Sequence, residues 1–226
     1  MYLAPHPRRY AKNMKLVIAI LLMISCSTLV GQDDPFAIVE KEPIDRKGDK
    51  KSTDVIDDKL LTAFGEKRLD KGTGKDRAVI RIIVTRSFHA PLLFKWYPAD
   101  DTLKPLLHVK RLKVKRTETE TIYEGLDLDK RIELKTSQEN LLKNIYRHSP
   151  IDELPQDYWT PAALDGSGWI YEVAAGDSSI LLTRRNPIKP FLEGTKISPA
   201  RLSLELQLTT FSLMLWTLSD IDEEPY

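Results

Sequence analysis

Ser87 and His89, with Asp165 as an acid, are the residue types of a hydrolytic trio. In such a trio an imidazole takes the proton of a hydroxyl nucleophile and a carboxylate orients the imidazole. The spacing speaks against it. Ser87 stands in Arg86-Ser87-Phe88, without the Gly-x-Ser-x-Gly elbow that exposes a nucleophile. Ser87 and His89 are also two apart in one short loop, where their side chains diverge, so a polar hairpin loop is the better reading. Metal chemistry has no firmer footing. His6, His89, His108 and His148 are scattered, none in His-x-x-x-His or Glu-x-x-His spacing, and Cys26 is the only cysteine. No metal and no cofactor is expected. Lys110, Arg111, Lys113, Lys115 and Arg116 make a basic strand followed by Glu118 and Glu120. It could dock an anionic lipid or polysaccharide. The ordinary reading is a solvated sheet face paired to acidic neighbours, at about 0.2–1 kcal/mol per pair.

The most distinctive stretch is Leu164-Asp165-Gly166-Ser167-Gly168-Trp169-Ile170-Tyr171-Glu172. An Asp-Gly turn feeds a strand whose Trp169 can stack under Arg184, a cation–π contact of about 0.5–2 kcal/mol. Asp165, Trp169, Glu172 and Arg184 are therefore the candidate binding residues. Strand parity sends Trp169 and Glu172 to opposite faces, which weighs against a shared pocket.

Asp165-Gly166, Trp169, Glu172 and the later Arg184-Arg185-Asn186-Pro187 resemble a pattern in exported bacterial proteins of no assigned function. There Asp-Gly-x-x-Trp-x-x-Glu precedes Tyr-His and then Arg-Trp-x-Pro. Arg86-Ser87-Phe88-His89-Ala90-Pro91 is similar to an Arg-x-Phe-His-x-Pro stretch ahead of it. Ser179-Ile180 stand where the pattern has Tyr-His, and Arg185 stands where it has Trp. The resemblance implies a fold and no activity, and the missing Tyr-His argues against borrowing an active role.

The amino-terminal 32 residues explain the lone cysteine. Asn13-Met14-Lys15 leads into the apolar run Leu16 to Ile24, which ends in Ser25-Cys26-Ser27-Thr28. A basic start, a short apolar centre and small residues after it make a secretory signal over residues 1–32, with Met14 as an alternative initiator. Leu16 to Val30 falls short of the roughly 20 apolar residues of a membrane span. Two processing routes fit. Met23-Ile24-Ser25-Cys26 resembles the bacterial lipobox, which makes Cys26 a lipid attachment point and membrane tether. The other route is cleavage near Gly31 or Gln32, with Cys26 a small hydrophobe discarded with the signal. Either leaves a body without a cysteine, so no disulfide supports the fold. The chain carries 34 basic and 33 acidic residues, a net +1. Four of the basic residues, Arg8, Arg9, Lys12 and Lys15, lie in the signal, which has no acid. The remainder holds 30 against 33, a net −3. That balance gives no footing for nucleic-acid binding.

Behind the signal, residues 33–52 are charged and poor in apolar groups, a flexible tether. Residues 53–76 read as a short helix and a loop, with Val55, Ile56, Leu60, Leu61 and Phe64 at helical spacing. Residues 77–226 form a single domain. Ala78, Ile80, Ile82 and Val84 alternate as a half-buried strand, and Leu92, Phe94 and Trp96 mark its hairpin partner. In Leu106 to Arg116 the apolar parity changes midway, which predicts a bulge at Lys110-Arg111. Thr119 to Tyr123 and Lys130 to Lys135 read as two more strands. Thr136 and Glu139 have the spacing of a capping box opening a helix. Trp169 to Ala174 and Ser178 to Thr183 form a hairpin on a Gly176-Asp177 type II′ turn. That register sets Trp169 opposite Arg184, Tyr171 opposite Leu182 and Val173 opposite Ile180. Leu202 to Leu208 alternates like a strand. Even so, Ser198-Pro199, the absence of Gly and Pro over some 20 residues and the stripe Leu204, Leu208, Phe211, Leu215 favour a helix.

The order predicts an α+β domain, an antiparallel sheet of about five to seven strands with two or three helices packed mainly on one face. The expected role is that of an exported, extracytoplasmic protein of the periplasm or cell envelope, binding or structural rather than enzymatic. Its ligand, partner and oligomeric state cannot be read from sequence. The alternative is a periplasmic hydrolase-like enzyme built around the Trp169–Arg184 hairpin. Geometry separates them: a shared pocket for Glu172 or Asp165 with Arg184 or His89 favours the enzyme, and splayed side chains disfavour it.

Overall fold

A computed structural model describes residues 56–69, 73–87, 89–147, 151, 157–158, 167–185 and 199–223, all within one compact unit, Pro35–Tyr226. Asp165, Cys26, His6, His148, Ser198, the signal and the tether lie outside the described residues. The elements run α1 (Asp58–Ala63), β1 (Gly74–Arg86), β2 (Leu92–Tyr97), β3 (Leu106–Arg116), β4 (Thr121–Glu133), α2 (Thr136–Arg147), β5 (Asp157–Tyr158), β6 (Ser167–Gly176), β7 (Ser178–Arg185) and α3 (Pro199–Ser219). The fold is α+β, as expected. Six antiparallel strands make the sheet in the order β4-β3-β2-β1-β6-β7, and two-residue β5 adds a parallel edge to β7.

Both faces of the sheet are covered, and this decides where each side chain goes. On one face Ile80, Ile82, Val84, Phe94, Trp96, Leu107, Val109, Tyr171 and Leu182 are buried under α2 and α3. Phe211 of α3 anchors this core, with ring contacts to Trp96 at 5.7 Å and to Tyr146 of α2 at 5.6 Å. On the other face α1 seats Ile56, Leu60, Leu61 and Phe64 on Ile83, Leu93, Leu112 and Ile170. Asp57 caps α1, its side chain accepting from Lys59 N at 2.9 Å, and Gly65 at φ +67° turns the chain out of it. The strap of residues 66–69 follows.

Local expectations fared unevenly. The β6–β7 hairpin pairs Trp169 with Arg184, Tyr171 with Leu182 and Val173 with Ile180, as the turn chemistry predicts. Gly176 takes φ +56° at the first central position. The long Leu-rich segment is helix α3, not strand. The parity change in β3 is no bulge. Leu107 and Val109 serve one core while Leu112 and Val114 serve the other, so β3 alternates normally across two covered faces. The extra residues lie in β4, where the register shifts opposite Arg111/Leu112 and again opposite Leu112/Val114. The two strands expected within 119–135 are this one bulged strand, with Gly125 at φ +107°. The strand β1 begins at Gly74, inside the expected loop, because Gly74 pairs with Gly176 where a Cβ would collide with Ala174. The capping box is set one residue earlier than Thr136 implies: Gln138 Oε1 accepts from Lys135 N at 2.8 Å. Glu139 instead accepts from Ala99 N at 2.6 Å and pairs with Lys143. Among the described residues no helix is long and apolar enough to cross a membrane.

Candidate functional site

The residues singled out from sequence separate onto the two faces of the sheet. Trp169 is buried beneath α3. Its Nε1–H donates to Ser167 Oγ at 2.8 Å, and its ring stacks on Trp216 at 6.2 Å and on Tyr171 at 6.4 Å. Arg184 lies on the same face, as the register requires, but its guanidinium is taken by a carboxylate. Nε donates to both Glu205 oxygens of α3, at 3.1 and 2.9 Å, and Nη1 donates to Thr183 O at 2.7 Å. Among the described residues, a cation does lie over a tryptophan on this face: Arg86, 5.5 Å from the ring of Trp216. Beside it, Tyr171 accepts a hydrogen bond from Ser212 at 3.1 Å, and burial pushes its phenol well up.

Glu172 points the other way, as parity predicts. Its Oε2 accepts from Arg81 Nε at 2.6 Å and its Oε1 from Leu69 N of the strap at 3.3 Å. Around it lies an ionic cluster absent from the sequence reading. Glu66 of the strap accepts from Lys110 Nζ at 2.6 Å and from Lys95 Nζ at 2.8 Å, and it pairs with Arg81 Nη1 at 3.4 Å. Backbone oxygens complete the set: Phe64 O accepts from Lys110 at 2.9 Å and Lys67 O from Arg81 at 2.7 Å. Lys110 is thus buried, against the expectation of a wholly solvated basic strand. Two others of that strand do pair with acids: Arg111 meets Asp127 and Glu223, and Lys113 meets Glu124 at 3.3 Å, whereas Arg116 donates to the backbone oxygens of Arg86 and His89. A signal for the cluster existed. Arg81 interrupts Val79-Ile80-Ile82-Ile83, and Lys95 sits between Phe94 and Trp96. A charge embedded in an apolar strand must find a counter-charge once the second face is covered.

Electrostatics favour the charged forms of Glu66 and Lys95. Burial alone would raise the Glu66 carboxyl, but hydrogen bonds from Lys110 and Lys95 outweigh it and hold Glu66 below the ordinary value. Burial would lower Lys95, and its hydrogen bonds to Glu66 and Tyr97 outweigh that, raising it. A carboxyl held ionised and an ammonium held protonated are poor proton-transfer groups at neutral pH. Of the hydrolytic trio, Ser87 and His89 are among the described residues. Ser87 and His89 are exposed on the β1–β2 loop, while Glu172 is spent on Arg81. His108 is buried beside Asp129, its Nε2 2.5 Å from Oδ1. Among the described residues no three His, Cys, Asp or Glu side chains group as metal ligands. No protein-family model, no curated protein and no solved structure matches this chain.

Proposed function

We propose that this chain is exported by its amino-terminal signal and acts outside the cytoplasm, at the envelope or in the periplasm, as a non-enzymatic binding or structural protein. One observation carries the non-enzymatic half. Two of the polar candidates, Glu172 and Arg184, are consumed pairwise inside the fold, Glu172 by Arg81 and Arg184 by Glu205, on opposite faces of the sheet. Export rests on the signal-like residues 1–32 and on the resemblance to exported bacterial proteins through Asp165, Trp169, Glu172 and Arg184. Cys26 then decides between a lipid-tethered and a free form.

Fractionation and intact mass of the expressed chain, with and without Cys26→Ser, test this reading. A lipid mass lost in the variant establishes the tether. An identical soluble extracytoplasmic product starting near Gln32 or Asp33 establishes the free form. Recovery of both proteins in the cytoplasm with residues 1–32 intact refutes export. Ester hydrolysis that disappears in Glu172→Gln refutes the non-enzymatic role.

A further inference from the structure

On the α1-covered face, one transverse row of the sheet carries basic side chains on neighbouring strands. Arg131 of β4 stands opposite His108 of β3, His108 opposite Lys95 of β2, and Lys95 opposite Arg81 of β1, before Glu172 of β6 ends the row. Lys110 shares this face, two residues along β3 from His108. Like charges directly opposite one another destabilise a sheet, so such a row needs anions laid over it. Two members of the row are served from the sheet itself, Arg81 by Glu172 and His108 by Asp129. Lys95 between them is served from outside it. Lys95, Lys110 and Arg81, from three strands, converge on the single carboxylate of Glu66.

Glu66 belongs to no helix or strand; it hangs from the strap just past Gly65. Its side chain is 9 % exposed and that of Lys95 14 %, whereas Arg81 is fully buried, so solvent touches the cluster at Glu66 and Lys95. The carboxylate is also an imperfect match for three donors. Oε1 serves Lys110, while Oε2 is divided between Lys95 at 2.8 Å and Arg81 at 3.4 Å. A tetrahedral oxyanion would give each cation its own oxygen. Lysine ammoniums and an arginine guanidinium are the groups that recognise such anions. The cations lie nearly buried, and Phe64, Leu60 and Leu61 pack over the same face, which shuts out a membrane surface and limits any occupant to a small anion taking the place of Glu66.

We propose that Arg81, Lys95 and Lys110 form a binding site for a small soluble oxyanion of the phosphate class, with Glu66 as its built-in, displaceable occupant. This goes beyond the envelope role and does not depend on where the protein resides.

The probe is inorganic phosphate, titrated against the purified protein at constant ionic strength, with thermal unfolding and calorimetry as readouts. Glu66→Ala is expected to melt lower than the parent in chloride and to recover saturably with phosphate. The parent is expected to saturate at a concentration about tenfold higher or more, because Glu66 competes from a tether at an effective concentration of order millimolar. Glu66→Ala combined with Lys95→Ala is expected to lose the response. Glu66→Gln, which removes the charge and keeps the shape, supplies the same comparison if Glu66→Ala does not fold. The proposal is overturned if phosphate does no more than chloride, if the parent never saturates, or if the double variant responds as well as the single. A response to phosphatidylglycerol vesicles without one to phosphate also overturns it.

Discussion

Removing Glu205 from beneath Arg184 tests whether this pair serves the fold or a ligand. The two residues are 2 % and 3 % exposed, and the guanidinium Nε reaches both carboxylate oxygens within 3.1 Å. Glu205→Leu leaves a charged guanidinium between the sheet and α3, with Thr183 O as a neutral acceptor. Breaking one side of a buried pair costs about 3–5 kcal/mol. Against a total stability of about 5–15 kcal/mol, that is a large share. With a urea m-value of about 2 kcal/mol/M, the midpoint falls by roughly 2 M. Replacing both partners changes the sign of the argument. Arg184→Met with Glu205→Leu removes both desolvation penalties and fills the space with apolar atoms, so the double variant is expected within about 1 kcal/mol of the parent. The assay is equilibrium urea unfolding of the parent, both single variants and the double variant, read as a double-mutant cycle. A coupling energy near zero would refute the reasoning, as would a double variant no more stable than the worse single. Either result means that the fold does not depend on this pair.

Two further outcomes follow from particular contacts. Gly74→Ala places a Cβ 2.4–2.5 Å from backbone atoms of Ala174 and Ala175, which cannot rotate away, and costs about 1–3 kcal/mol in chemical unfolding. Gly168→Ala, which meets only the Thr85 hydroxyl at 2.7 Å, is expected to cost less; equal costs contradict the close-approach argument. Stability is also expected to fall at both ends of the pH scale. Glu66 sits below its usual 4.5, so its contribution is intact above that value and is lost as pH falls through the lower folded value. Lys95 sits above its usual 10.5, so its contribution is intact below that value and is lost as pH rises through the higher folded value. Glu66→Gln should flatten the acid limb of a melting-temperature profile; an unchanged limb assigns it to other carboxylates.

What could be read in the sequence was local or periodic. The Trp169–Arg184 hairpin emerged because a Gly-Asp turn fixes the register and β6 and β7 alternate cleanly about it. The helix α3 emerged because unbranched leucines and an N1 proline outweigh a short alternating stretch. The burial of Lys110 and the role of Lys95 stayed hidden for the opposite reason. Their burial depends on α1, distant in sequence, covering a second face that one-sided alternation cannot reveal. The same blindness turned the two cores of β3 into a bulge and split β4 at Gly125. For the site, the separation of Trp169 from Glu172 was legible from parity alone. Their actual partners, Trp216 and Arg81, are long-range contacts that no spacing encodes.

The irregular β4 also governs what the sheet can add. As an outermost strand of 13 residues it offers a long open row of backbone donors and acceptors, the usual template for runaway strand addition. Two register shifts and a glycine at φ +107° interrupt that row near its centre. An incoming strand of ordinary pleat can follow either half but not both without carrying matching irregularities of its own. At the opposite border, β5 pairs with only Thr183 and Arg184 of β7. On its β4 side the sheet is thereby guarded against edge-to-edge polymerisation by backbone geometry alone.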